Sequence, residues 1–275
     1  MQEEKVNLGQ NPAPGARPGD FDYEPPVEAI PLPSRGKVYP AGSSLAGATR
    51  VEIRAMTATE ENILTSRALL KSGKAFTTLM RALLVDKTID PETMVSGDRN
   101  ALLIGIRISG YGREYVTDIS CPKCEKVFRH EFDLAKMELK TLDEDPMTPG
   151  HNLFSCVLPV TKKEVLFKIM TGEDERDMTA LQESSAKEFG AKSGEKNVTN
   201  RLWFSVLKFG EETDRNRIRR IVERLPARDS LFLRKRIDRV SPGVEMKQTV
   251  ECPHCGEKSE VQVPLGADFF WPDAG

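Results

Sequence analysis

The chain has 275 residues, of which 39% are hydrophobic and 30% are charged, and its formal net charge at pH 7 is -2. This is enough apolar material for one large or two small soluble domains. No apolar run approaches the roughly 18 residues that cross a bilayer. The first residues lack the basic flank and apolar stretch of a signal peptide. We therefore expect a cytoplasmic protein without a membrane span, whose five cysteines are metal ligands or free thiols rather than disulfides.

Residues 1–29 are predicted to form an extended N-terminal arm. The stretch from Gln10 to Gly19 is rich in proline and glycine, which disfavours both helix and strand, and it has few side chains that a core would bury. A segment of this kind gains order only by lying on a partner, which lets a short segment cover a long surface.

Residues 30–150 predict a mixed unit that ends in a β-hairpin. Thr57 is an expected helix cap, and Glu60 follows it at the spacing of a capping box. Cys121 and Cys124 lie between two short runs of alternating polar and apolar residues, which indicates a hairpin. The expected elements are a strand at 51–54, helices at 57–73, 76–84 and 96–110, and hairpin strands at 113–119 and 128–132.

Residues 151–275 repeat this order, which predicts a duplication. Aligning Asp98 with Asp229 brings Cys121-Pro122 onto Cys252-Pro253 without a gap, and in an upstream block Met56-Thr57 meets Met170-Thr171. Earlier still, Leu32-Pro33 meets Leu158-Pro159. The second set of expected elements is a strand at 165–168, helices at 172–190, 201–209, 213–224 and 228–240, and hairpin strands at 246–250 and 261–263.

Four cysteines form the candidate metal site: Cys121, Cys124, Cys252 and Cys255. A Cys-x-x-Cys turn directs two sulfurs at one point, and two such turns supply the four ligands of a closed, tetrahedral zinc site. Each repeat has only one such turn, so a single structural Zn²⁺ is expected between the repeats. The predicted fold class is therefore α+β, a duplicated helical and β-hairpin unit joined by a shared zinc-ribbon-like site.

Two other interpretations of these cysteines remain, a redox motif and buried thiols without a metal. A redox Cys-x-x-Cys normally begins a helix that follows a strand, whereas both motifs here are expected at hairpin tips, which favours zinc. Iron fits the same sulfur cage. His254 lies inside the second turn, but the aligned residue is Lys123, so His254 is not an expected ligand.

The segment from Arg215 to Arg239 holds ten basic and three acidic residues. One interpretation is a zinc-ribbon protein that binds nucleic acid through this segment. The other is a pair of helices with a solvated basic face. We favour it because the overall charge is near zero and the segment has only one aromatic residue, Phe232, for stacking on bases. Nucleic acid is therefore not an expected partner.

No catalytic motif is present. The sequence lacks a phosphate-binding glycine loop, a Gly-x-Ser-x-Gly elbow and a His-Glu-x-x-His helix. A zinc ion held by four cysteines has no open position for water or substrate. We expect neither enzymatic activity nor a small-molecule substrate.

Several short motifs in order resemble the baseplate hub proteins of T-even-type contractile-tailed phages. They are Leu32-Pro-Ser-Arg-Gly-Lys-Val-Tyr39, Val51-Glu-Ile-Arg-Ala-Met-Thr57, Gly97-Asp-Arg-Asn100, Ile106-Arg-Ile108, Gly110-Tyr-Gly112 and Cys121-Pro-Lys-Cys124. The resemblance is strongest over residues 30–135. It implies a non-enzymatic structural or assembly component of the baseplate hub, which binds other tail and baseplate proteins. Such a protein is made in the host cytoplasm and lies in the virion tail if it is retained.

The apolar cluster Phe269, Phe270 and Trp271 is predicted to bind a partner. It lies too close to the terminus for deep burial within one domain to be expected, and clusters of this kind commonly anchor interfaces. Docking back on the chain's own core is the alternative.

Overall fold

The structure is a computed structural model, and it describes residues 25–189, 197–263 and 267–270. Helices and small antiparallel sheets alternate along the chain, which confirms the α+β class. Residues 1–24 of the predicted arm lie outside the described residues. The remaining part of that segment, from Val27 onward, enters the first strand.

The N-terminal half, residues 25–150, contains five strands and four helices. They are β1 (Val27–Pro31), β2 (Arg50–Arg54), α1 (Ala58–Thr65), α2 (Arg67–Lys71), α3 (Ala75–Leu83), α4 (Ser96–Tyr111), β3 (Glu114–Ser120), β4 (Val127–Asp133) and β5 (Leu139–Lys140). β1 pairs antiparallel with β2, which places Ile30 opposite Val51, and both side chains are buried. The predicted capping box is present: the Thr57 amide donates to the Glu60 carboxylate at 3.0 Å.

The helix predicted over 57–73 is broken in two at Ser66. This residue adopts an extended conformation, and its side chain accepts a hydrogen bond from the Leu69 amide to cap α2. A serine side chain competes with the helical backbone for such donors, which explains the break. Gly73 then ends the segment with φ +67°, a left-handed conformation that favours glycine.

The C-terminal half, residues 151–270, is built from six strands and four helices in the part that the structure describes. They are β6 (Phe154–Val157), β7 (Glu164–Phe167), α5 (Gly172–Phe189), α6 (Asn197–Ser205), β8 (Val206–Phe209), α7 (Arg215–Glu223), α8 (Ala227–Val240), β9 (Gly243–Val244), β10 (Lys247–Glu251) and β11 (Lys258–Gln262). The helix predicted over 201–209 is wrong in its last four residues, which form β8. They pair with β7, with Val165 opposite Phe209, so their backbone hydrogen bonds run to the neighbouring strand and not along a helix.

Backbone hydrogen bonds join the two halves. The Ser96 amide donates to Met170 at 2.9 Å, and the Gly172 amide donates to Met94 at 3.0 Å. β5 of the first half pairs with β9 of the second. The buried apolar side chains form one continuous cluster across both halves.

The C-terminal 3-10 turn, Ala267–Phe270, completes the core of the N-terminal half. Phe269 is 1% exposed and Phe270 is 0% exposed. The Phe270 ring lies 5.6 Å from Phe76, and the Phe269 ring lies 5.1 Å from Tyr115. The expectation that these two side chains remain available to a partner is therefore wrong, because they dock on the chain's own core. Trp271, the third member of that cluster, lies outside the described residues.

Within the described ranges, no helix combines the length and the apolar character needed to cross a bilayer.

Candidate metal centre

The four cysteines lie at the tips of two equivalent hairpins. Cys121 and Cys124 occupy the turn between β3 and β4, and Cys252 and Cys255 occupy the turn between β10 and β11. The backbone folds alike in both turns. The amide four residues after the first cysteine donates to its carbonyl, Glu125 to Cys121 and Gly256 to Cys252, each at 2.9 Å. Both donor residues have a positive φ, at 57° and 70°.

These turns bring the four sulfurs together, as predicted from their spacing. All four Sγ atoms lie within 4.8 Å of one another. The Cys121 and Cys255 sulfurs are 3.7 Å apart, and the Cys124 and Cys252 sulfurs are 3.8 Å apart. A tetrahedron with metal–sulfur bonds of about 2.3 Å has edges of about 3.8 Å. The cluster therefore fits one tetrahedral metal ion with two ligands from each hairpin.

The turns favour the first thiolate of the cluster, and the crowding of the four sulfurs opposes the last. The backbone amide of Cys124 lowers the pKa of Cys121 to about 7. The Glu257 amide lowers the pKa of Cys255. Burial and the hydrogen bonds with the three neighbouring sulfurs outweigh this effect and raise that pKa to about 12. Four clustered thiols thus release their first proton readily and hold the last tightly, because thiolates close together repel one another. A divalent cation would offset this repulsion.

The cysteine cluster lies at the protein surface and is partly covered by protein. Cys121 and Cys252 are buried, Cys124 is half-buried, and Cys255 is exposed. With four sulfur ligands, a bound ion has no position for substrate, so the arrangement suits a structural role. Among the described residues, His254 is not part of the cluster, in agreement with the prediction from the alignment.

One contact across the site was not predicted from the sequence. The Lys123 ammonium lies 2.7 Å from the Glu257 carboxylate, and so links the first cysteine turn to the second. Both side chains are partly exposed, so the pair contributes little stability by itself. No local sequence signal identifies it, because the two residues belong to different hairpins.

The basic segment 215–239 has several of its cations engaged within the chain. Arg215 donates to the Trp203 carbonyl at 2.6 Å, and the Arg219 guanidinium lies 5.0 Å from the centre of the Trp203 ring. Arg217 pairs with Glu212 at 3.2 Å. These contacts favour the interpretation of a solvated helical face over that of a nucleic-acid surface.

The comparisons with known proteins find a family model that resembles the N-terminal half of the chain. The family model described as T4 bacteriophage base plate protein matches residues 29–152. The match covers most of β1, then β2 through β5 and the first cysteine turn, and it confirms the resemblance to T4-type baseplate proteins. No curated protein and no solved structure matches the chain.

Proposed function

We propose that this chain, which matches the T4 bacteriophage base plate protein family over residues 29–152, is a structural or assembly component of the baseplate hub of a contractile phage tail. The family match is the observation that carries the proposal. Its partners are other tail and baseplate proteins. The chain is made in the host cytoplasm and reaches the virion with the tail if it is retained.

The proposed ion at the cysteine cluster is Zn²⁺. Tetrahedral sulfur ligation suits zinc or iron, and zinc serves where no redox chemistry is required. Its role is to hold the hairpin β3–β4 against the hairpin β10–β11, and hence the N-terminal half against the C-terminal half. Such a site supports the absence of enzymatic activity, since the ion has no open coordination position.

The two halves are proposed to be duplicated units, with the metal between them. Equivalent ion pairs support this. In the first half Arg54 pairs with Glu60 at the start of α1, and in the second half Lys168 pairs with Asp174 at 2.7 Å at the start of α5. Each acid also accepts the amide of its helix-capping threonine. The alignment of Thr57 with Thr171 makes these positions correspond.

The test is complementation of a phage that lacks the gene. Wild type and Cys156→Ser, which alters a cysteine outside the cluster, should restore intact contractile tails in electron micrographs. Cys121→Ser combined with Cys124→Ser should not. Mass spectrometry of purified tails then distinguishes a retained subunit from an assembly factor. Normal tails in the phage that lacks the gene would refute the baseplate function.

A further inference from the structure

A groove lies on the C-terminal half where α7 ends beside the turn between β6 and β7. It encloses about 300 Å³. Its apolar lining is Phe209, Ile221, Leu225 and Pro226, and its polar lining is Thr161, Arg220 and Arg224. The groove therefore combines room for one large apolar side chain with two cations at its edge.

The cations at this edge are unpaired. Arg220 and Arg224 are exposed, and neither guanidinium has a hydrogen bond or an ion pair among the described residues. They stand four residues apart, where like charges on a helix repel. By contrast, Arg217 on the same helix is paired. Two guanidinium groups at the edge of the groove are thus available to an anionic partner.

The sequence contains a segment with the matching chemistry. Residues 20–24 read Asp-Phe-Asp-Tyr-Glu, so three carboxylates flank two aromatic rings. An aromatic side chain would cover the apolar lining, and adjacent carboxylates would meet the guanidinium groups in charge-assisted hydrogen bonds. We propose that residues 20–24 of a second copy of this chain bind in the groove.

The reach of the segment favours a second copy over the same chain. Glu24 precedes Pro26, whose carbonyl accepts a hydrogen bond from the Ala55 amide at 2.8 Å in the N-terminal half. From that anchor the segment reaches at most about 20 Å, the span of the six residues back to Asp20. β1, which follows the segment, packs against β2 and α4. The groove, however, is lined only by residues of the C-terminal half.

Binding of this kind joins subunits head to tail, because the donated segment and the groove are different surfaces. A contact between copies of the chain adds to the proposed structural role in the baseplate, and its biological meaning rests on that role. Its test uses the purified chain alone, so failure of this contact and failure of the baseplate function are separate results.

The experiment measures self-association of the full chain by sedimentation velocity. The groove variant is Arg220→Glu with Arg224→Glu, and the segment variant is Asp20→Lys, Asp22→Lys and Glu24→Lys. A matched control, Arg234→Glu with Lys235→Glu, makes the same charge change on exposed positions of α8. We expect each of the first two variants to weaken association by about tenfold or more, and the control to change it by less than about twofold.

Three further arms test the contact directly. Mixing the groove variant with the segment variant should restore a heterodimer, since one intact groove and one intact segment remain. Combining both reversals in one chain should restore self-association. Phe21→Ser with Tyr23→Ser should weaken association with the charges unchanged. A wild-type chain that stays monomeric at its solubility limit, or a control variant as weak as the groove variant, would overturn the proposal. Unchanged metal content verifies that each variant is folded.

Discussion

Asp98 in α4 and Asp229 in α8 hold corresponding loops in place. Asp98 accepts the Ser34 amide at 2.8 Å, and Asp229 accepts the Val160 amide at 2.7 Å. Neither helix has a side-chain cap of its own at its first residue, so both aspartates act across the fold rather than along their helices. The repetition of one long-range contact at two aligned positions supports the proposed duplication.

The loops themselves correspond in the alignment. Ser34 follows the pair Leu32-Pro33, and Val160 follows the pair Leu158-Pro159. The two carboxylates nevertheless differ in their pKa. Burial raises the pKa of Asp98, although Ser34 and Tyr39 donate to it. Burial alone would also raise the pKa of Asp229. Hydrogen bonds from the amides of Val160 and Thr161 outweigh burial there and lower that pKa.

The first prediction concerns the pH dependence at Asp229. Asp229→Asn should lower the free energy of unfolding at pH 7 by about 2 kcal/mol, because one of the two accepting oxygens becomes an amide nitrogen, which cannot accept its backbone donor. A lowered pKa stabilises the fold above the unfolded value of about 4, and this contribution is lost as pH falls through the folded pKa. The difference between wild type and variant should therefore shrink below about pH 4. Urea unfolding at several pH values measures it, and a difference that grows on acidification would contradict the assignment.

The second prediction concerns metal content. Elemental analysis of the purified chain should give one zinc ion per chain, and Cys252→Ser should abolish it. The free energy of unfolding should fall by several kcal/mol, up to the roughly 10 kcal/mol that zinc contributes to small domains. Cys156→Ser and His254→Ala should leave the metal content unchanged. Two ions per chain would rule out a shared site.

The third prediction concerns Arg107, which is 1% exposed and donates to three backbone carbonyls. They belong to Phe269 at 2.9 Å, Gly112 at 2.8 Å and Glu114 at 3.0 Å. Arg107→Met should cost about 3–5 kcal/mol, because these acceptors lose their donor. It should also make the segment near Phe269 sensitive to protease. Arg113→Met, on an exposed arginine, is the control and should change stability by less than about 0.5 kcal/mol.

The fourth prediction concerns the close contact of Gly97 with the turn before β9. A Cβ atom at Gly97 would lie 1.9 Å from the Pro242 carbonyl oxygen, so the backbone would have to move. Gly97→Ala should therefore destabilise the protein by about 3 kcal/mol. Gly42→Ala is the control, since a Cβ there meets nothing within 4 Å. Thermal unfolding compares the two, and equal melting temperatures would show that the contact is not tight.

Local chemistry and the shared cysteine cluster were predictable from the sequence, and the other long-range contacts were not. The capping box at Thr57 and the cysteine turns depend on residues three or four positions apart, so their patterns are visible in the chain. The strand β8 was missed because pairing with β7 overrides the helical pattern. The burial of Phe270 and the role of Arg107 depend on contacts between distant segments, for which the sequence has no local signal.

The position of the Phe269–Phe270 turn near the end of the sequence also determines when the N-terminal core can be completed during synthesis. Arg107 and its acceptor at Phe269 are separated by 162 residues. At about 5–20 residues per second, a ribosome needs roughly 8–32 s to make that interval. During synthesis the rings of Phe76 and Tyr115 are made before Phe270 and Phe269, which contact them in the finished fold. Until Phe270 emerges, the nascent N-terminal half therefore exposes apolar surface that the finished fold covers.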